Sequence, residues 1–271
     1  MAEAGPFQGK AVVVTGAAGG IGTAVCHRFG RSGARIAAID RDAAGLDTLA
    51  AALATHGTDV ATFACDITDA GQCVATMTQV VDRFGGIDVL INNAGITHRS
   101  AFADTQVGVY RRVMDVNFFG SVYCTKAAWE SLRTRRGLIV VISSVAGFAP
   151  LLGRTGYAAS KHALHGFFAS LRTEAADDGV GVTIVCPSFT DTNIARSALD
   201  GDGSVTTHPQ STLGRLAQPE DVAAQIYRAA CRRQPLAVLS PVGKLARLVS
   251  ALFPAYYERS MAARLRHELE R

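Results

Sequence analysis

Thr15-Gly16-Ala17-Ala18-Gly19-Gly20-Ile21-Gly22 follows the apolar run 11–14 and opens a helix-length segment, 21–32. Glycines let a backbone turn sharply and come close to a pyrophosphate, and the first turn of the next helix offers it unpaired N–H groups. A glycine cluster alone is no more than a flexible turn. Placed between a strand and a helix in the first βαβ unit, it reads as a dinucleotide cradle. The second apolar run ends at Asp40, 24 residues beyond Gly16. A carboxylate there accepts both hydroxyls of an adenosine ribose and repels a 2′-phosphate, which favours NAD over NADP. Arg41 works against that preference, whereas the glycine loop holds no Lys or Arg. The plainer role for Asp40 is a cap after the strand.

Working outward, further short apolar runs lie at 36–39, 60–64, 89–91, 138–142 and 182–185, and a weaker one at 236–239. They are too uniformly apolar for strands with one wet face, so they are expected to be parallel strands covered on both sides. Helix-length segments at 43–55, 72–84, 107–133 and 157–176 alternate with them. The pattern predicts an α/β fold with one doubly wound parallel sheet of about seven strands. No repeat or linker divides the chain, giving one domain over 1–240 with a helical extension over 241–271.

Composition narrows the function classes. Of 271 residues, 48% are hydrophobic and 18% charged, which supplies a sizeable core. The net charge of +4 is uneven: Arg228 to Arg271 holds nine Lys/Arg and three Asp/Glu, so the body is near −2 and the tail +6. No dense basic face interleaved with aromatics marks a nucleic-acid site. The six cysteines are scattered without metal-ligand spacing, so reduced, buried thiols are expected and no metal. The opening residues do not resemble a signal peptide, and a cytoplasmic location is expected.

Polar residues at strand ends face the ligand crevice of such sheets. Here they are Asp66 and Ile67 after the third strand and Asn92-Asn93-Ala94-Gly95 after the fourth. Asn117 lies within the long segment 107–133, where an asparagine competes with backbone hydrogen bonding. It either ties two strands together through backbone contacts or holds a water in the active site. Tyr157 and Lys161 are four residues apart, thirteen and more residues after Ser144, and on a helix they share a face. The ammonium is expected to favour the phenolate and bring its proton exchange nearer neutral pH.

These motifs, in this order, resemble the short-chain dehydrogenases/reductases over about Lys10 to Val238: TGAAGGIG, Asp66, NNAG at 92–95, Asn117, Ser144 in ISSVAG, and Tyr157-x-x-x-Lys161. The resemblance implies a Rossmann-type, homo-oligomeric (dimer or tetramer) oxidoreductase dependent on NAD(P), with Asn117, Ser144, Tyr157 and Lys161 as its catalytic tetrad. In that family's terms Tyr157 is the general acid/base and Ser144 stabilises the substrate oxygen. Lys161 binds the nicotinamide ribose and lowers the tyrosine pKa, and Asn117 positions a relay water. Gly16, Gly20, Ile21, Gly22, Asp40, Asp66, Ile67, Asn93, Tyr157, Lys161, Pro187, Thr190 and Thr192 are the implied cofactor contacts. Two departures stand out. Pro187-Ser188-Phe189-Thr190-Asp191-Thr192 replaces the common Pro-Gly-x-Val-x-Thr, and the chain runs on past the seventh strand through Pro241-Val242-Gly243. The second departure disfavours an acyl-carrier thioester reductase and leans towards a lipophilic alcohol or ketone of steroid or retinoid type.

The long segment between Thr192 and Leu213 is expected to be a lid. Ile194, Ala198 and Leu199 from it, and Phe148, Leu151 and Leu152 ahead of Tyr157, are candidates to cover an apolar substrate. In the tail, Leu245, Leu248, Val249, Leu252 and Phe253 recur at helical spacing. That stripe is expected to pack on the body or a neighbouring subunit in preference to a membrane surface. The segment 256–271 is a subunit arm or a flap over the cleft. An NADP-dependent carbonyl or 3-oxoacyl reductase is the nearest alternative. A non-catalytic dinucleotide-binding or interaction protein is the alternative of another class.

Overall fold

A computed structural model of the chain describes residues 5–208 and 216–269. Among these, seven parallel strands form one sheet in the order β3-β2-β1-β4-β5-β6-β7. The strands are β1 Ala11–Thr15, β2 Arg35–Asp40, β3 Val60–Ala64, β4 Val89–Asn92, β5 Leu138–Ile142, β6 Gly181–Cys186 and β7 Leu236–Val238. Chain order reverses between β1 and β4, and in doubly wound sheets the ligand crevice opens at that switch point, above the strands' carboxyl ends.

Helices cover both faces, and side-chain alternation sorts the core into two layers. Val12 and Val14 face α1 (Gly20–Gly30), α2 (Ala43–Ala54) and α7 (Pro219–Cys231). Ala11 and Val13 face α3 (Ala70–Phe84), α5 (Gly120–Arg135) and α6 (Thr155–Glu174). Burial on both sides explains why these strands read as unbroken apolar runs. β3 departs from that expectation. It is the sheet edge, its residues are only partly covered, and Ala64 is exposed.

Local chemistry fixes the joints. Asp42 and Asp69 cap α2 and α3 by accepting from Gly45 N and from Gly71 and Gln72 N. Buried Asp88 accepts from Ala11 N at 2.9 Å and Lys10 Nζ at 3.1 Å, tying the start of β1 to the entry of β4. The segment expected as one helix over 107–133 is continuous but not uniform. α4 (Val107–Met114) passes into a π-helical turn at Asp115–Phe119 before α5 begins. An extra residue in a turn of this kind rotates the side chains on either side of it, and such turns concentrate at functional sites.

Two helices follow β7: α8 (Pro241–Leu252) and α9 (Pro254–Leu265). They form a hairpin whose far end returns to the segment ahead of α6. Arg154 Nη2 donates to Glu268 Oε2 at 2.6 Å, with both side chains buried, and Leu152 N donates to Met261 Sδ. Removing one member of a buried pair strands the other charge in a low-dielectric site. Glu268→Ala is therefore expected to lower the unfolding free energy by about 3–5 kcal/mol in urea titrations. Replacement of both Arg154 and Glu268 by apolar residues of similar volume is expected to recover much of that loss.

Candidate active site

A cleft of about 410 Å³ runs over the carboxyl ends of the strands, from Asp40 and Asp66 at one end to Tyr257 at the other. Every residue named from the sequence as catalytic or cofactor-binding lines it except Gly22 and Asn117, which sit behind its wall.

The glycine loop is shaped from beneath. Asn93 Nδ2 donates to the carbonyls of Thr15 and Gly16 at 2.9 and 3.0 Å, and Asn93 N donates to Thr15 Oγ1. Gly16 has φ +65°, a left-handed conformation that glycine adopts without strain. A Cβ at Gly22 would run into the Gly16 carbonyl and lie 2.9 Å from Asn93 Nδ2, so its role is packing between helix and strand end. Asp40 Oδ2 accepts from Ala18 N at 3.0 Å and Oδ1 from Asp42 N at 3.1 Å, which fixes the carboxylate at the cleft edge. It is thus both the expected cap and a group facing the crevice. Asp66 Oδ1 accepts from the backbone and hydroxyl of Thr68, and Ile67 packs on Gly120.

Tyr157 and Lys161 project from α6, and Ser144 follows β5. The Ser144 hydroxyl lines the cleft beside the Tyr157 phenol and accepts from Ala146 N at 3.1 Å. The extended backbone of Ser144 turns its side chain into the cleft instead of the sheet. Asn117, wholly buried in the π-helical turn, accepts from Ile96 N at 2.8 Å and donates to Ile96 O and Ser160 Oγ, each at 2.9 Å. These bonds tie the backbone beyond β4 to α6, where the expected tie was between two strands.

The electrostatics depart from the expectation that Lys161 makes the phenol more acidic. Burial pushes the Tyr157 pKa up, against the Ser144 hydroxyl and the Arg154 charge. Burial also lowers Lys161 to about 8. Its ammonium donates to Ile142 O at 2.9 Å and lies 5.6 Å from the centre of the Tyr157 ring. Desolvation is the largest influence on both groups. Cys186, near both, is raised to about 12 by burial and is a neutral thiol.

Several residues escaped the sequence reading. His98, lowered to about 4 by burial and the nearby Arg154, is neutral; its Nε2 accepts from Gly156 N at 2.9 Å. It thereby satisfies an N–H of the first turn of α6, where Arg154 makes no side-chain cap. Arg154, Val242, Gly243, Ala246 and Tyr257 line the substrate end of the cleft. No short motif marks Arg154 just ahead of α6, and the others arrive from the hairpin after β7, Tyr257 within the segment expected as an arm or a flap. Of the proposed lid residues, Ile194 and Leu151 do line the cleft. Ala198 and Leu199 instead point inward, buried, and Leu199 bridges to His98 and Val205 and packs on Val109 and Val113. Phe148 packs on the core beside His165. The rest of the proposed lid, 209–213, lies outside the described residues. Among the described residues there is no cluster of His, Cys, Asp and Glu fit for a metal ion.

The low Lys161 pKa has a stability consequence with a definite sign. Between about 8 and the unfolded value near 10.5 the unfolded chain binds the extra proton, so stability rises with pH across that window. Wild type is expected to gain about 2 kcal/mol between pH 7.5 and 9.5 relative to Lys161→Met, read from urea titrations at the two pH values.

Residues 10–202 match the family model described as short chain dehydrogenase. Dehydrogenase/reductase SDR family member 7B of Bos taurus is 38% identical over 267 residues, covering 95% of this chain and 82% of its own length. The protein of the same name from Danio rerio is 36% identical over 270 residues, covering 97% and 87%. Among solved structures, a short chain dehydrogenase/reductase from Burkholderia phymatum in complex with NAD superposes with a TM-score of 0.82 at 23% identity. That match covers 92% of this chain and 95% of the other, and it establishes the likeness of fold. By its matched family, its relatives and its sheet order, the chain belongs to the short-chain dehydrogenases/reductases and is an oxidoreductase.

Proposed function

We propose that the protein transfers a hydride between NAD(H) and a secondary alcohol or ketone of lipophilic, steroid- or retinoid-like character. The observation that carries this reading is that Ser144, Tyr157 and Lys161 converge on the same cleft that receives Gly16, Gly20 and Asp40. The residues present suit a dinucleotide: a close-approach glycine backbone beside a helix N-terminus, then a carboxylate at the end of β2. The NAD held by the Burkholderia phymatum relative is consistent with that choice. A bound nicotinamide supplies hydride acceptance or donation.

The chain's own residues divide the remaining work. Gly16, Gly20 and Ile21 hold the pyrophosphate, Asp40 the adenosine ribose, and Asp66 and Ile67 flank the adenine. Pro187, Thr190 and Thr192 hold the carboxamide, and Ser188 in place of glycine leaves these contacts to the backbone. Ser144 hydrogen-bonds the substrate oxygen. Tyr157 takes the hydroxyl proton in oxidation and returns one to the carbonyl oxygen in reduction. Lys161, one helical turn from Tyr157, would hold the nicotinamide ribose. A Cβ on Gly95 would lie 3.2 Å from Asn117 Oδ1 and 3.6 Å from Lys161 Nζ. The glycine thus lets the backbone beyond β4 approach both side chains closely.

Leu151, Ile194, Val242 and Ala246 make the substrate end apolar, which supports a lipophilic substrate. We read 1–240 as the catalytic domain and 241–271 as its helical extension. Exposed Phe119 and Phe167 support association into a homodimer or homotetramer. All six cysteines are unpaired, which supports a reducing, cytoplasmic setting. NADP is the second reading, because a hollow lined by Arg41, Arg111 and Arg112, with Asp66 and Asp115, adjoins the Asp40 end of the cleft.

Tyr157→Phe is expected to cut turnover by about 10²–10⁴-fold while NADH binding, followed by its fluorescence, is retained. A variant with wild-type turnover would remove Tyr157 from the chemistry. Asp40→Ala is expected to weaken NAD more than NADP in equilibrium titrations, and the reverse order would support the second reading. A panel of carbonyls and alcohols followed at the NADH absorbance band then selects the substrate class.

A further inference from the structure

The amphipathic helix α8 lies on the body the opposite way round from the expected packing. Its large apolar residues face outward: Leu245, Leu248 and Leu252 are 60, 57 and 61% exposed. Small residues face the protein instead. Gly243 packs against Val145 and Val238, Ala246 lines the cleft, and the Ser250 hydroxyl donates to Phe148 O. Phe253 and Tyr256, at the turn into α9, extend the same apolar surface. A contiguous exposed apolar stripe of this kind marks a surface that is covered in use.

Its surroundings indicate what covers it. Lys244 borders the stripe, Arg247 lies further round towards the body, and Arg259, Arg264 and Arg266 are exposed on and just after α9. Glu258 is the one exposed acidic residue among the described residues of this hairpin. A second copy of the chain docking symmetrically on this face would set like-charged rims against each other. A bilayer bearing anionic headgroups matches both features, since leucines enter the acyl boundary while Lys and Arg remain at headgroup level. An aromatic tip suits the same boundary. Val242 belongs to both surfaces: it lines the cleft and is 53% exposed beside the stripe.

We propose that the α8–α9 hairpin docks on an anionic lipid bilayer, in the plane of its interface, with the substrate end of the cleft opening at the membrane surface. The hairpin lies on the bilayer and does not span it. Among the described residues no helix is long and apolar enough to cross a membrane. The proposal rests on the surface alone and holds whichever dinucleotide or alcohol the enzyme uses.

The full-length protein is tested by flotation with vesicles of phosphatidylcholine alone and of phosphatidylcholine containing phosphatidylglycerol. Wild type is expected to float with the anionic vesicles, less so at high salt, and to remain largely unbound with the neutral ones. Leu248→Asp/Leu252→Asp is expected to lower the partition coefficient by about tenfold or more for each leucine. Its turnover of a water-soluble alcohol without vesicles, and its circular dichroism, are expected to match wild type. Failure of wild type to float, or flotation of the variant equal to wild type, overturns the proposal. So does a wild-type dimer that becomes monomeric in the variant without any vesicle binding, which would make this face a subunit contact.

Discussion

The carboxamide of Asn117 stands where three parts of the fold meet. Its oxygen and nitrogen clamp the backbone of Ile96, just beyond β4, and its nitrogen also reaches Ser160 in α6. Ser160 lies between Tyr157 and Lys161, so this one side chain sets the catalytic helix against the switch point of the sheet. A buried amide with its donors and acceptor committed in this way loses more when cut than the hydrogen bonds themselves supply, because the groups left behind have no water to turn to. The π-helical turn presents Asn117 at the required depth. The geometry of the cleft therefore depends on a polar contact surrounded by apolar packing.

The first turn of α6 is held from two further directions. His98 accepts its Gly156 N–H, and the Arg154–Glu268 pair anchors the residue just ahead of it. Both are buried, and neutral His98 can accept where an imidazolium could not. The start of the catalytic helix is thus organised by residues outside the motifs that announce the chemistry. The depressed Lys161 pKa and elevated Tyr157 pKa show the other side of this construction. Lys161 is buried while Tyr157 keeps one side on the cleft, so desolvation acts on both at the point where the cleft reaches α6.

What the sequence disclosed followed from the range of each interaction. β1 to β6 were legible because parallel strands buried on both faces leave short apolar runs, and the weaker run at 236–239 was β7. The glycine loop, Asp40, Asn93, Ser144, Tyr157 and Lys161 were legible because their spacing along the chain maps directly onto strand ends and one helix face. Covering of β3 was overestimated, since an apolar run does not reveal whether its strand is central or at the edge. Ala198 and Leu199 were assigned to the substrate, although a bridge to His98, a hundred residues away, turns them inward. Arg154–Glu268 and His98–Gly156 were invisible for the same reason, as sequence separation hides a pair whose value lies in burial. Periodicity located the stripe on α8 but could not say which way it faces, because a helix whose inner side is Gly243, Ala246 and Ser250 packs closely through smallness.

The π-helical turn at Asp115–Phe119 also allows one continuous helix to serve two partners. Upstream of it α4 packs on α6, and downstream α5 packs on α3. Each residue of a regular helix advances the side chains by about 100°, so the extra residue acts as a phase shift between the two halves. Losing or gaining a single residue anywhere along this solvent-facing rod would put one half out of step with its neighbour. Length is thereby constrained along this stretch by packing on two separate partners.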